Sequence, residues 1–227
     1  MERLVAKEEV RRRIEAIGII PAVRLSSSED AVFAAEAVSS GGIPIVEVTM
    51  TVPGAVEVVY RLTRSHPEII VGAGTLVDVK TAKQCLDAGA AFLTSPGLDL
   101  DISAFASGKD TVYFPGALTP SEIMAARKAG CDFVKVFPCS QVGGPSYIKT
   151  LRAPFPDVPL IASGGVTQQT AADFILAGAS ALGIGHDLIQ PEAIHRRERA
   201  WIVELARRFV TMVNDARAQK GSRGGSI

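Results

Sequence analysis

Eight short runs rich in β-branched and aromatic residues alternate along this chain with segments of helical pattern. Alternation of strand and helix predicts parallel strand pairing with right-handed crossovers, and eight such units predict a closed barrel. We therefore expect an α/β fold, a (β/α)8 TIM barrel. The predicted strands lie in residues 18–24, 44–50, 69–75, 92–97, 112–117, 131–139, 159–165 and 181–185.

A weak internal repeat supports this arrangement. A glycine followed by a short step into an apolar run precedes every second predicted strand, at Gly42, Gly89, Gly130 and Gly178. Glycine ends helices in many folds, so it is the regular spacing that indicates repeated units here. The chain has no composition break before residue 221, which predicts a single domain over residues 1–220.

The two ends of the chain differ from the repeated part. A charged helical pattern over residues 7–17 predicts an additional helix before the first strand. A long last helix is expected over about 191–217. The glycine- and serine-rich residues 221–227 are expected to form a disordered tail.

Composition excludes several classes of protein. The chain has 227 residues, and 24 Lys and Arg balance 24 Asp and Glu, so no nucleic acid or anionic membrane partner is indicated. The charged N-terminus does not resemble a signal peptide, and no apolar run has the roughly 20 residues of a membrane helix, so we expect a cytoplasmic protein. Three cysteines without metal-ligand spacing are expected to be reduced thiols, and no metal set or cofactor is predicted.

The segment Cys131–Cys139 contains the feature with the clearest chemical meaning. Lys135 lies within a run of valine and phenylalanine, and both faces of that strand are apolar. Burial in apolar surroundings favours the neutral amine of a lysine. The neutral amine is the form that attacks a carbonyl to give a Schiff base, so we predict that Lys135 is a catalytic nucleophile.

Glu47 lies in a second apolar strand, within Ile45–Thr49. A carboxylate there is costly unless it is paired or protonated. One interpretation is a structural ion pair with Lys135, because alternate strands contribute to one interior layer of such a barrel. The other is an acid/base catalyst that moves protons through carbinolamine, imine and enamine steps.

Glycine-rich segments end the last two predicted strands. Free backbone amides near the Ser163-Gly-Gly-Val-Thr167 turn, where Thr167 is expected to cap a helix, suit an anion. The loops after strands seven and eight are the usual phosphate site of such barrels, although ordinary tight turns have the same composition. We predict phosphate binding by Ser163, Gly164, Gly165 and His186.

Other polar and apolar residues end neighbouring strands. Thr75 follows the third strand and is placed to hydrogen-bond a carboxylate, or else simply marks the end of the strand. Arg24 ends the first strand, where it either pairs with a substrate anion or has no functional contact at the rim of the barrel. Thr51 follows the second strand. Phe137 and Pro96 are expected to form an apolar wall over the imine.

At these residues the chain resembles the family of 2-keto-3-deoxy-6-phosphogluconate (KDPG) and 4-hydroxy-2-oxoglutarate (KHG) aldolases. The resemblance covers about residues 15–190, in the stretches GGIPIVEVTMT, VGAGTLVD, TSPGLD, FPGALTPSE, DFVKVFPCSQVGG, APFPDVPLIASGGV and LGIGHDLI. These motifs occur in the family's order. Their coincidence in one chain is therefore specific.

The resemblance implies a homotrimeric class I aldolase that acts on a small keto acid. It implies that Lys135 holds pyruvate as an imine, that Glu47 is the acid/base, and that Thr75 contacts the carboxylate of pyruvate. Some members carry arginine where this chain has Thr51, so either Arg24 or backbone amides substitute for that charge. Some also carry serine where this chain has His186 and threonine where it has Ser163, which affects the distal end of the substrate.

Two other functions are compatible with a barrel of this kind. An isomerase or synthase that binds phosphate without covalent chemistry would require a metal set or two acid/base carboxylates. A non-catalytic barrel whose role lies in its oligomer surface would keep the glycines and the core. Such a protein would have no reason to bury Lys135 beside Glu47.

Overall fold

The computed structural model describes residues 6–224, which form alternating strands and helices. The strands are β1 (Ile19–Val23), β2 (Ile45–Thr49), β3 (Ile70–Gly74), β4 (Phe92–Thr94), β5 (Val112–Phe114), β6 (Gly116–Ala117), β7 (Val134–Val136), β8 (Leu160–Ser163) and β9 (Ala181–Ile184). The helices are α1 (Lys7–Ile17), α2 (Ser28–Ser40), α3 (Ala55–Ser65), α4 (Val79–Asp87), α5 (Leu100–Gly108), α6 (Pro120–Lys128), α7 (Pro145–Arg152), α8 (Ala171–Leu176), α9 (Pro191–His195) and α10 (Arg199–Gly224).

All strand pairs of the sheet are parallel, in the order β5-β4-β3-β2-β1-β9-β8-β7-β6. The two outermost strands, β5 and β6, are consecutive in the chain and only Pro115 separates them. The two edges of the sheet must therefore meet, so the sheet curls into a nearly closed, TIM-like α/β barrel.

The predicted strand over 112–117 is divided in two in the structure. Pro115 has no amide hydrogen to donate to a neighbouring strand, which interrupts the ladder at that residue. Its carbonyl still accepts a hydrogen bond from the Lys135 amide at 2.9 Å, and the Gly116 amide donates to the Ser95 carbonyl at 3.0 Å. The described sheet thus has nine strands where eight were expected.

Side-chain caps begin several helices of the described chain. The Thr119 hydroxyl accepts from the Glu122 amide while the Glu122 carboxylate accepts from the Thr119 amide, a capping box with proline at the first turn. Asp78 caps α4 by accepting from the Thr81 amide at 2.7 Å. These caps satisfy amides at the helix start that have no partner within the helix.

The prediction that Thr167 caps a helix is wrong. Helix α8 begins only at Ala171, and residues 167–170 form a turn in which the Thr170 hydroxyl accepts from the Thr167 amide at 3.0 Å. The Thr170 amide also donates to the Thr167 carbonyl, and together the two hydrogen bonds form a turn ahead of the helix. The helix therefore starts several residues beyond the glycine pair.

The single helix expected over 191–217 is also wrong, because the structure has two helices with a break between them. Arg197 adopts a left-handed backbone conformation with φ of 57°, which a continuous helix does not allow. Its guanidinium pairs with Asp30 at 2.9 Å and lies 4.7 Å from the centre of the Phe33 ring. Contacts with α2 thus stabilise the break.

The last helix extends further than predicted. It reaches Gly224, so residues 221–224 are helical, although the sequence predicts a disordered tail over 221–227. The Ser222 hydroxyl donates to the Ala218 carbonyl at 3.0 Å, which is consistent with the helical spacing there. Residues 225–227 of the predicted tail lie outside the described residues.

The core fills the barrel and the space between the sheet and its helices. Inside the barrel, Phe92 stacks on Phe114 with ring centres 5.3 Å apart, and Phe133 meets Phe114 edge-on at 6.1 Å. All three rings are buried, so they supply much apolar area to the core. Among the helices of residues 6–224, none combines the length and apolar character needed to cross a bilayer.

Candidate active site

A buried lysine and a buried glutamate meet inside the barrel. Lys135 on β7 is 7% exposed, Glu47 on β2 is 2% exposed, and the Lys135 Nζ lies 3.5 Å from the Glu47 Oε2. The two strands are not neighbours in the sheet, so only closure of the barrel brings the side chains together. The sequence predicts that both the amine and the carboxylate are enclosed, and their burial is confirmed.

The ring of Phe137 lies beside the amine. The Lys135 Nζ is 5.7 Å from the ring centre, within the range of a cation–π interaction. Phe137 is half-buried, and the peptide bond from it to Pro138 is cis. Pro96 is exposed at the end of β4, on the turn that follows Ser95.

Arg24 and Thr75 meet where β1 and β3 end. The Arg24 guanidinium donates to the Thr75 hydroxyl at 3.3 Å, and the exposed arginine otherwise faces solvent. Thr75 has a φ of 61°, a rare conformation for a β-branched residue. Such residues concentrate at ligand sites, where the surrounding structure holds them.

Thr51 is engaged elsewhere. Its hydroxyl lies 2.7 Å from the Thr49 hydroxyl, which donates in turn to the Val23 carbonyl at 3.0 Å. The Thr51 hydroxyl therefore contacts Thr49, whereas the Arg24 guanidinium contacts Thr75. Thr49 is fully buried and Thr51 is exposed.

The glycine pair after β8 presents unused amides. Neither Gly164 nor Gly165 donates a hydrogen bond from its amide to another described residue, and their φ values are 86° and 84°. The segment that follows β7 pairs with this loop, because the Cys139 amide donates to Ser163 at 2.8 Å and the Ser140 amide donates to Gly164 at 3.0 Å. The amides are therefore held beside the end of the lysine strand.

His186 lies at the end of the adjacent strand. Ser163 on β8 and Gly183 on β9 are partners in the ladder, so the loops after these strands leave the barrel side by side. Ser163 is buried, whereas His186 is exposed and forms no ion pair or hydrogen bond with another described residue. The fold thus places the two glycine-containing loops, after β8 and after β9, at the same end of the barrel.

Sequence reasoning missed Tyr113, which supports the turn that carries Pro96. Its hydroxyl lies 2.6 Å from the Ser95 hydroxyl, which donates to the Gly97 carbonyl at 2.5 Å. Burial raises the pKa of Tyr113 to about 12, so the phenol stays protonated and serves as a hydrogen-bonding group. A tyrosine inside an apolar strand was the available signal, since its hydroxyl needs a partner when buried.

Other nucleophiles and metal ligands are poorly placed. Cys139 follows the lysine strand, but burial raises the pKa of its thiol to about 12, so little thiolate is present. Within residues 6–224, no group of three or more His, Cys, Asp or Glu side chains is placed to hold a metal ion.

Comparison with known proteins points to the same family as the sequence motifs. Residues 10–205 match the family model described as KDPG and KHG aldolase. The KHG/KDPG aldolase of Escherichia coli K12 is 32% identical over 193 residues, which are 85% of this chain and 90% of that protein. The 2-dehydro-3-deoxy-phosphogluconate aldolase of Pseudomonas aeruginosa is 31% identical over 190 residues, 83% of this chain and 86% of that protein.

A solved structure agrees with the fold as well. The KDPG aldolase of Legionella pneumophila, with pyruvate captured as a covalent carbinolamine intermediate, superposes with a TM-score of 0.81 at 28% identity. The match covers 87% of this chain and 96% of that one. Since the family model spans most of the sequence and the relatives match along nearly their whole length, this chain belongs to the KDPG and KHG aldolase family.

Proposed function

We propose that this protein is a class I aldolase that cleaves KDPG to pyruvate and glyceraldehyde 3-phosphate through a Schiff base on Lys135. The observation that carries the proposal is the buried amine of Lys135 lying 3.5 Å from the carboxylate of Glu47. Imine chemistry requires at least a nucleophilic amine and a proton-transfer group close to it, and these two residues supply both. The pyruvate carbinolamine named for the Legionella pneumophila aldolase supports the same route.

Each step of the reaction assigns a proton to Glu47. The neutral amine of Lys135 adds to the C2 carbonyl of the substrate, and Glu47 protonates the resulting hydroxyl so that it leaves as water. Glu47 then takes the proton of the C4 hydroxyl, and the C3–C4 bond breaks to release glyceraldehyde 3-phosphate. The electron pair of that bond moves into the iminium to form an enamine. Glu47 returns its proton to C3 of the enamine, and hydrolysis of the resulting imine releases pyruvate and restores the amine.

Arg24 and Thr75 are proposed to hold the carboxylate of the keto acid. Arg24 already reaches the Thr75 hydroxyl, so a carboxylate that bridges the two residues gains a charge-assisted hydrogen bond. Thr51 supplies no charge and its hydroxyl is paired with that of Thr49. We therefore infer that Arg24 takes the place of the arginine that some family members carry at the Thr51 position.

The distal end of the substrate is proposed to lie against Ser163, Gly164, Gly165 and His186. Unused amides bind phosphate oxygens well, and a protonated imidazole adds charge. Phe137 and Pro96 are proposed to line the pocket between the two ends. KHG, which would give pyruvate and glyoxylate, lacks the phosphate, so it should be the poorer of the two substrates.

The wider organisation follows the same family. We propose a single domain over residues 1–220, in which β5 and β6 count as one strand of an eightfold (β/α)8 barrel preceded by the additional helix α1. We also propose a homotrimer that works in the cytoplasm on a small keto acid, without a nucleic acid or membrane partner. The family resemblance supports the trimer, and the balanced charge supports the absence of a polyanionic partner.

Reductive trapping tests the proposal directly. Incubation with pyruvate and borohydride should add one reduced pyruvyl group to Lys135, which peptide mass analysis locates. Lys135→Ala should remain unmodified, whereas Lys149→Ala, at an exposed lysine near the end of α7, should trap like the wild type. A wild-type protein that stays unmodified would favour a non-covalent isomerase or synthase, or a non-catalytic barrel.

A further inference from the structure

Gly74 ends β3 immediately beside the catalytic glutamate. A methyl group built on Gly74 would lie 1.9 Å from the Glu47 Oε1 and 2.4 Å from both the Cδ and the Cγ of that side chain. These are the three nearest atoms, and all belong to Glu47. No side chain larger than hydrogen fits at this position while Glu47 keeps its conformation.

The backbone does not explain the glycine. Gly74 lies in a regular strand and is not among the glycines with positive φ, so an L-residue could adopt its conformation. Close approach of another group is the remaining reason for a glycine inside a strand. Here the approaching group is the side chain of Glu47.

We propose that Gly74 is a positioning residue, which creates the space that holds the Glu47 carboxylate beside the Lys135 amine. Restoring ordinary contact from 1.9 Å to 3.4 Å requires the carboxylate to move by about 1.5 Å. A misplacement of about 1 Å can lower a rate by about 10²-fold, so a shift of that size removes Glu47 from its working position. A glutamate side chain can turn about its rotatable bonds, so we expect Glu47 to change rotamer while the backbone of β2 and β3 stays in place.

Gly72 provides a matched control on the same strand and the same face. A methyl group there would lie 2.1–2.3 Å from three ring atoms of Phe92, which stacks on Phe114. A packed ring cannot move aside as a glutamate side chain can. The same Gly→Ala change should therefore lower stability at Gly72 and activity at Gly74.

The inference rests on the proposed function, and the experiment separates the two. On the full chain, kcat and KM for KDPG and the Tm are measured for wild type, Gly74→Ala, Gly72→Ala, Glu47→Ala and the Gly74→Ala/Glu47→Ala double variant. We expect Gly74→Ala to lower kcat by about 10²-fold with a Tm close to that of the wild type. We expect Gly72→Ala to lower the Tm and to keep most of the kcat.

The double variant decides whether Gly74 acts through Glu47. Glu47→Ala removes the Oε1, Cδ and Cγ atoms, so adding Gly74→Ala should then change neither kcat nor Tm further. The inference is overturned if Gly74→Ala lowers kcat by the same factor with and without Glu47, or if the double variant unfolds where Glu47→Ala alone does not. A wild type that traps no pyruvate would instead contradict the proposed function.

Discussion

Replacing Glu47 by glutamine removes the proposed acid/base while keeping the size of the side chain. Glu47 is only 2% exposed, and the isosteric amide leaves no cavity. General acid–base catalysis contributes about 10²–10⁴-fold, so kcat/KM should fall by that factor, equivalent to raising the barrier by about 3–5 kcal/mol.

Stability should change less than activity in this variant. Removing one partner of a fully buried ion pair costs about 3–5 kcal/mol. Here the amine and carboxylate are 3.5 Å apart, at the limit of a hydrogen bond, so the pair contributes less than a closely bonded one. We therefore expect the free energy of unfolding to fall by at most about 3 kcal/mol.

A coupled assay of pyruvate release, together with denaturant unfolding, checks both expectations. The control is Glu57→Gln, an exposed glutamate on α3, which should match the wild type in both measurements. If Glu47→Gln keeps kcat/KM within about threefold of the wild type, general acid–base catalysis by Glu47 is refuted and the pair is structural.

Three further changes probe other parts of the molecule. His186→Ala should reduce the preference for KDPG over KHG, measured as the ratio of kcat/KM values, and an unchanged ratio would remove this residue from the phosphate site. Arg217→Ala should lower the free energy of unfolding by about 2–3 kcal/mol, because the guanidinium donates to the Ala16, Glu15 and Ser180 carbonyls, whereas Arg207→Ala, at an exposed position, should not. Hydrogen bonds from the Leu118 and Thr119 amides hold the pKa of Glu122 below its ordinary value. Glu122→Gln should therefore be less stable than the wild type near neutral pH, and the difference should vanish as the pH falls through the pKa of the folded state; a difference that persists in acid would contradict this cause.

The proposed catalytic pair could be singled out from the sequence because each member violates the pattern of its own strand. Lys135 and Glu47 are ionisable residues in runs that are otherwise apolar, and such groups are costly to bury without a purpose. Their strands were recognisable from composition alone. Periodicity also indicated that both faces of the Lys135 strand are covered, which the burial of β7 confirms.

The failures of prediction share a different cause. The break at Arg197 depends on a carboxylate and an aromatic ring of α2, far away in the chain. The late start of α8 depends on the Thr170 hydroxyl, which accepts a hydrogen bond from the Thr167 amide. The need for glycine at Gly74 depends on a side chain from the neighbouring strand. Local pattern carries no information about such partners.

The sequence by itself determined the class of fold and the choice of candidate reactive groups, because strand and helix periodicity and misplaced charges are local properties that each segment displays alone. Tertiary structure decided the distances: that the Lys135 amine lies 3.5 Å from Glu47, that Arg24 reaches Thr75, and that unused amides lie beside the end of the lysine strand. These depend on how a parallel sheet closes on itself, since closure brings together strands that are neither sequential nor adjacent.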